Sequence, residues 1–428
     1  MSRFRSLLCP AVFVFVAGIV TVAPELAAQV DGDSLAESRL ELEVYGEILF
    51  QHYDFGPDRK SQPEGAAPDS RSIVDIPRVV FEIGYAFDST FSIDAELEIE
   101  HAGTGSALEL EYEEFGEYEQ ETEKGGEVIL EKIFVTARLS ELLSLRAGKM
   151  ILPVGLTNHA HGPDDYFGAV RPEGEEQILP VTWNEIGLAA FGRLGPVDWH
   201  VMLVNGLDAT GFTSERWIVE GHQKKFEVIR TTDPALLLRL DYTPVEGVSI
   251  GGVIYRGAST GNRPKPDITD VDGVVTIAAA DLVVDHAPLL FRGSYIEGDL
   301  SDAGEISAKN NRISRNLAVP RTPVASGARS LGLEAGYDLL YHFGSRSRLY
   351  PFVRFEAFNS MARVEGVTFA DPRFRREVIT AGLNYFPIDQ IVLKADFSHR
   401  RLGGGDFNSE NTVSLAIGFS GDLLDLSI

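Results

Sequence analysis

Phe91-Ser92-Ile93-Asp94-Ala95-Glu96-Leu97-Glu98-Ile99-Glu100 is the stretch whose reading decides the fold. Its odd-numbered residues are all apolar. Its even-numbered residues are a serine and four carboxylates. A strand turns successive side chains to opposite faces, so this order needs an apolar phase on one side and water on the other. A helix would scatter the carboxylates around its axis.

Working outward, the same alternation marks sixteen strands. They begin near Arg39, Arg78, Thr90, Val128, Ser144, Asn184, Val197, Ala235, Val248, Val274, Leu289, Ser330, Leu349, Glu377, Gln390 and Thr412. The links between them alternate in length. Short ones lie at Asp88–Thr90, Ser140–Leu143, Gly195–Pro196, Pro244–Gly247, His286–Pro288, Gly344–Arg348 and Pro387–Asp389. Long polar ones lie at Asp54–Asp75, Gly103–Glu127, Leu152–Trp183, Gly206–Asp233, Gly257–Gly273, Leu300–Arg329, Asn359–Phe374 and Leu402–Asn411. The pattern predicts an all-β, transmembrane antiparallel barrel of about sixteen strands with short periplasmic turns and long external loops. Closure removes the sheet edges that lipid does not tolerate. A soluble propeller or sandwich does not need alternating loop lengths, and no blade-length repeat is present.

Composition agrees. The chain has 428 residues, 44% of them hydrophobic, with 42 Gly and 10% aromatics, yet only one run near the start is apolar enough to cross a bilayer as a helix. The 38 basic against 64 acidic residues give a net charge of −26, which excludes a basic nucleic-acid binder. Arg3 and Arg5 precede the uncharged run Ser6–Pro24, and small residues follow at Ala23, Ala27 and Ala28. This is the form of a secretory signal. Residues 1–28 are expected to be cleaved, 29–38 to form a short periplasmic segment, and 39–428 to form the barrel. The single Cys, Cys9, lies in the signal, so the mature chain has no intramolecular disulfide.

The outward sets are apolar: Phe91, Ile93, Ala95, Leu97 and Ile99, and likewise Ile379, Ala381, Leu383 and Tyr385. The inward sets are charged. Asp94, Glu96, Glu98 and Glu100 are expected on an acidic lumen wall. Lys132, Arg138, Arg146, Arg193, Arg239, Arg292, Arg354 and Lys394 are expected on a basic one. So many charges do not fit a dry core. They fit a water-filled lumen with a field across it.

The third long link reads LPVGLTNHAHGPDDYFGAVRPEGEEQILPVTW over 152–183. Four prolines and several apolar residues are more than a freely exposed loop needs. This segment is expected to fold into the barrel. Asp164, Asp165, Tyr166, Arg171, Glu173, Glu175 and Glu176 are its constriction candidates.

Here the residues carry a resemblance. The run 143–192, LSLRAGKMILPVGLTNHAHGPDDYFGAVRPEGEEQILPVTWNEIGLAAFG, followed by VDWHVMLVNGL at 197–207, resembles the phosphate-selective porin family of Gram-negative outer membranes. LYPFVRFE at 349–356 and ITAGLNYFPIDQIVLKADF at 379–397 resemble its late strands. The resemblance implies a sixteen-stranded porin, usually trimeric, with the third loop inside as a constriction. Members that favour phosphate line the lumen with Arg and Lys, which suits an anion. This chain departs from that, having no Lys cluster and an acidic constriction segment. The family's anion preference is therefore not carried over.

The expected function is passive diffusion of small hydrophilic solutes or ions through an outer-membrane porin, with lipid and lipopolysaccharide around it. An anion or phosphate channel is the alternative. A plugged structural or adhesion barrel is the alternative of another class. No nucleophile elbow or placed Ser-His-Asp set is present, so no enzyme is expected. His159 and His161 with Asp164 have metal-ligand chemistry, but two His and a carboxylate in an unanchored loop are more often no site. The acidic run Glu109–Glu127 reads as a solvated, self-repelling loop before a cation site. No cofactor or metal is expected.

Overall fold

The computed structural model describes residues 39–55, 69–103, 105–111, 119–158, 160–223, 228–310, 322–404 and 408–424. The expected signal at 1–28, the segment 29–38 and His159 lie outside the described residues.

The strands are β1 (Leu40–Phe55), β2 (Asp69–Asp75), β3 (Arg78–Ala86), β4 (Phe91–Glu100), β5 (Gly105–Glu111), β6 (Glu119–Gly126), β7 (Val128–Ser140), β8 (Leu143–Ile151), β9 (Asn184–Leu194) and β10 (Val197–Asn205). There follow β11 (Pro234–Val245), β12 (Val248–Gly257), β13 (Val275–His286), β14 (Leu289–Leu300), β15 (Gly327–Tyr337), β16 (Arg348–Arg363), β17 (Arg375–Ile388), β18 (Ile391–Leu402) and β19 (Ser409–Asp422). Seventeen of them form one antiparallel sheet, closed by β1 against β19. Both β2 and β3 pair with the same edge of β1, so together they are one wall position and the barrel has sixteen. Pro77 lies in the break between them. It has no N–H to give the ladder. Gly46 sits opposite, where a side chain would meet the Arg78 carbonyl at 2.9 Å and the Phe419 ring at 2.7 Å.

Three expectations are corrected. Part of the expected loop Asp54–Asp75 is the strand β2. The acidic loop Gly103–Glu127 contains the hairpin β5–β6, a separate two-stranded sheet. The link expected at Gly344–Arg348 runs from Asp338 to Ser347, because Asp338 Oδ1 accepts from the amides of Leu340 and Leu349, each at 3.0 Å, and ends the strand early.

The outer face is apolar and exposed. Leu236, Leu238 and Leu240 on β11, Ile379 and Leu383 on β17, and Val413, Leu415 and Ile417 on β19 are each more than 40% exposed. Such a belt is stable only against hydrocarbon. The barrel is therefore transmembrane.

The inner face changes character along β11–β14. Near the short turns it carries Arg239, Asp241, Asp281 and Arg292. Toward the long links it carries Leu237, Val253, Tyr255, Ile277 and Ile296, which are buried. These meet Trp183, Leu207, Phe212, Trp217, Ile218, Ile268, Ile306 and Val324 from four of the long links in one apolar core. The long links are thus not uniformly polar. Trp217 Nε1 donates to the Ala325 carbonyl at 3.1 Å, and its ring lies where a side chain on Gly298 would project. On β15–β19 and β1–β4 the inner face carries more polar side chains toward the long links, with Gln51, Ser330, Glu410, Thr412 and Ser414 buried beside Phe358, Met361 and Val378.

Candidate functional site

The segment between β8 and β9 is held by charged and polar side chains from strands far apart in the wall. On β18, Lys394 Nζ donates to the carbonyls of Tyr166 (3.1 Å) and Gly168 (2.7 Å) and lies 4.1 Å from the Tyr166 ring centroid. On β16, Arg354 donates to the Phe167 and Val170 carbonyls, and Glu356 accepts from the Gly174 amide at 2.8 Å. On β11, Arg239 donates to the Pro153 carbonyl at 3.3 Å. Tyr166, fully buried, donates to Glu47 on β1 at 3.3 Å. Phe167 stacks on Phe352 of β16 with centroids 5.2 Å apart and lies under Arg292 of β14. These contacts are made on the face of the wall that carries the charges.

The segment's own acids are placed differently from one another. Asp164 is exposed and accepts from Ser420 at 3.4 Å. Asp165 accepts from the Gly162 amide at 2.7 Å, and burial raises its pKa. Glu173 pairs with Arg400 and Arg376. Glu175 accepts from the Leu156 and Thr157 amides, the Thr157 hydroxyl and the Ser294 hydroxyl, all within 3.0 Å. Glu176 is pushed up to about 7, mainly by burial. Burial likewise raises Tyr166. Arg171 donates to Thr182 Oγ1 at 3.1 Å. The carboxylates closing on wall cations make Glu173 an anchor, and Glu175 secures the segment's own turn.

The basic wall is largely paired. Lys132 bridges Glu82 (2.5 Å) and Glu96 (2.6 Å). Arg239 bridges Asp241 (2.6 Å) and Asp281 (3.0 Å). Arg292 meets Glu334 at 2.7 Å and Arg354 meets Glu356 at 3.3 Å. Arg146 lies over the Phe134 and Phe191 rings, 3.9 and 4.7 Å from their centroids. Arg138 and Arg193 lie at the short-turn rim, both exposed, with Arg193 on Asp198 at 2.7 Å. On the acidic wall Glu96 and Glu98 are buried, while Asp94 and Glu100 are half-buried.

Three cavities adjoin the segment. One of about 510 Å³ is lined by Glu43, Glu82, Glu96, Asp164, Asp165, Asp389 and Asp422, with Lys132 and His161 as its basic side chains. A second of about 410 Å³ is lined by Lys132, Arg146, His200, Arg239, Asp241 and Asp281. A third of about 260 Å³ lies among Asp165, Tyr166, Glu175, Arg292, Glu334, Arg354 and Glu356. They share Lys132, Leu156, Asp165 and Val283 in their linings, so they adjoin one another around the segment.

Sequence reading missed Glu131. Its neighbour Lys132 was assigned to the lumen, and regular alternation would turn Glu131 outward. The β4–β7 pairing shifts between Glu96↔Lys132 and Leu97↔Leu130, which leaves Glu131 as the extra residue of a bulge. The bulge brings both side chains to the same face, and Glu131 is 4% exposed.

No protein-family model matches the chain. An uncharacterized protein of Aquifex aeolicus (strain VF5) is 25% identical over 362 residues, covering 82% of this chain and 74% of that protein. The outer membrane channel DcaP of Acinetobacter baumannii superposes with a TM-score of 0.52 at 14% identity, over 90% of this chain and 99% of that one. OmpF of Salmonella typhi, in a complex with daunomycin, gives a TM-score of 0.52 at 10% identity, over 89% and 97%. At these identities the likeness is one of fold.

Proposed function

We propose that the protein is a passive diffusion channel for small hydrophilic solutes and ions in a Gram-negative-type outer membrane. The observation that carries this reading is the pairing of an apolar outer belt with cavities walled by ionised side chains inside a closed barrel. Charged walls stabilise water and ions in a lumen of this size. The segment 152–183 is the constriction. Its contacts with the charged faces of β1, β11, β16 and β18 support this reading.

The route past it follows the cavities beside the segment, along the charged inner faces of β7–β16 on the short-turn side, because the segment itself is anchored on β16–β18 and β1. The vestibule on the short-turn side has seven carboxylates against Lys132 and His161. Through a wall of that sign the channel prefers cations, weakly, because the remaining charges are paired. A second reading, an anion channel, rests on the resemblance and on Arg146 and Arg239 in the second cavity. The resemblance also supports a homotrimer, which cross-linking of membrane-embedded protein tests.

Liposome swelling tests the main reading. Vesicles containing the refolded protein should swell in isotonic small sugars at rates that fall with sugar size. Vesicles that stay tight to every sugar and salt, with folded barrel present, favour the plugged adhesion barrel.

A further inference from the structure

Arg78 Nε reaches Glu47 at 3.5 Å, and its Nη2 donates to the His161 carbonyl. Around Arg78 and Lys132 stand five carboxylates: Glu47, Glu82, Glu96, Glu98 and Glu131. Glu96, Glu98 and Glu131 are at most 4% exposed. A buried excess of carboxylates is costly unless a cation or protons neutralise it.

His161 gives the second observation. Its Nδ1 lies 3.1 Å from the Asn158 carbonyl, which only accepts, so Nδ1 carries the proton. In the neutral imidazole the Nε2 lone pair then faces the carboxylates. His161 is 5% exposed, and its Nε2 makes no hydrogen bond. Glu131 Oε2 makes none either. The imidazole nitrogen and one oxygen each from Glu96 and Glu131 lie within 4.8 Å of one another. A lone pair facing carboxylate oxygens is repulsive, and a metal ion converts that repulsion into ligation. A single Zn²⁺ about 2.1 Å from each donor holds its ligands about 3.4 Å apart. Glu96 Oε1 is already 3.5 Å from His161 Nε2. The hydrogen bond from Nδ1–H to a backbone carbonyl is the outer support that metal-bound histidines use.

We infer that Glu96, Glu131 and His161 form a binding site for a divalent cation of the zinc class. One imidazole among the donors favours such a metal over Ca²⁺ or Mg²⁺, which take all-oxygen shells. The ion joins the 152–183 segment to the wall strands β4 and β7. It adds a tie at β4 and β7 to those the segment makes through Lys394 and Arg354. The bulge at Glu131 supplies a ligand that a regular strand would have turned to lipid.

The test uses the full barrel, purified in detergent, stripped with a chelator and titrated with Zn²⁺ by calorimetry, with bound metal measured by mass spectrometry. It does not depend on conductance, so its failure leaves the channel reading standing. One Zn²⁺ per chain is expected, with affinity weakened at least about tenfold in Glu131→Gln and in His161→Asn. His52→Ala, an exposed histidine on β1, should bind as wild type does. Glu131→Gln is isosteric and removes buried repulsion, so it keeps the site testable if His161→Asn does not fold. Folding is checked by heat-modifiable gel mobility. Co²⁺ loaded in place of Zn²⁺ should give visible d–d absorption that Glu131→Gln abolishes. Substoichiometric uptake by wild type, or binding that neither variant weakens, overturns the site.

Discussion

Lys394 on β18 holds Tyr166 of the 152–183 segment twice over, through the carbonyl at 3.1 Å and through the ring at 4.1 Å. A buried cation fixed on backbone carbonyls is an anchor, because removing it leaves those carbonyls without a donor. Lys394→Met should therefore destabilise the segment by about 1–3 kcal/mol. Single-channel recordings should show larger or noisier conductance, with the barrel itself still folded on gels. Unchanged conductance would separate the anchor from the aperture.

Gly336 and Phe167 make a second, apolar anchor. A side chain on Gly336 would run into the Phe167 ring, which stacks on Phe352. Gly336→Ala should cost about 1–3 kcal/mol through overpacking. In the double variant with Phe167→Leu the losses should fail to add by at least about 0.5 kcal/mol. Urea unfolding in detergent measures the cycle, and simple additivity would argue that the two do not touch.

On the channel reading proposed above, the short-turn vestibule sets the sign of selectivity. Glu43 and Asp164 both line it and both are exposed. Glu43→Gln combined with Asp164→Asn should move the reversal potential in a salt gradient toward the anion side. The effect should shrink at high salt, where exposed charges are screened.

Glu176 links the segment to pH. Burial raises its pKa to about 7, from the ordinary glutamate value of 4.5. Between those values the folded chain holds a proton that the unfolded chain has released, so stability falls as pH rises through that window. Unfolding midpoints measured from pH 4.5 to 8 should decline, and Glu176→Gln should flatten the decline. A slope that Glu176→Gln leaves intact would place the titrating group elsewhere.

The wall was legible in the sequence because lipid and water impose a period of two on every strand. Each of the sixteen expected strands starts within a few residues of its expected position, from Leu40 to Ser409. What was not legible depends on contacts distant in sequence or on breaks in the period. Pro77 divides one wall position into β2 and β3. The bulge inverts the facing of Glu131, which alternation alone would have sent outward. Trp217 finds its place beside Gly298 and Ala325, some eighty and more residues away, so the apolar core of the long links had no local signature. Among the expected constriction residues, Glu173 lies against β17 and β18 and Tyr166 against β1 and β18, pairings that no spacing announces.

The central claim is that ions pass through this barrel beside the 152–183 segment. Planar-bilayer recording of the purified protein in a salt gradient tests it most directly. Stepwise conductance with a reversal potential on the cation side is the predicted result. A silent bilayer holding correctly folded, inserted protein would contradict it.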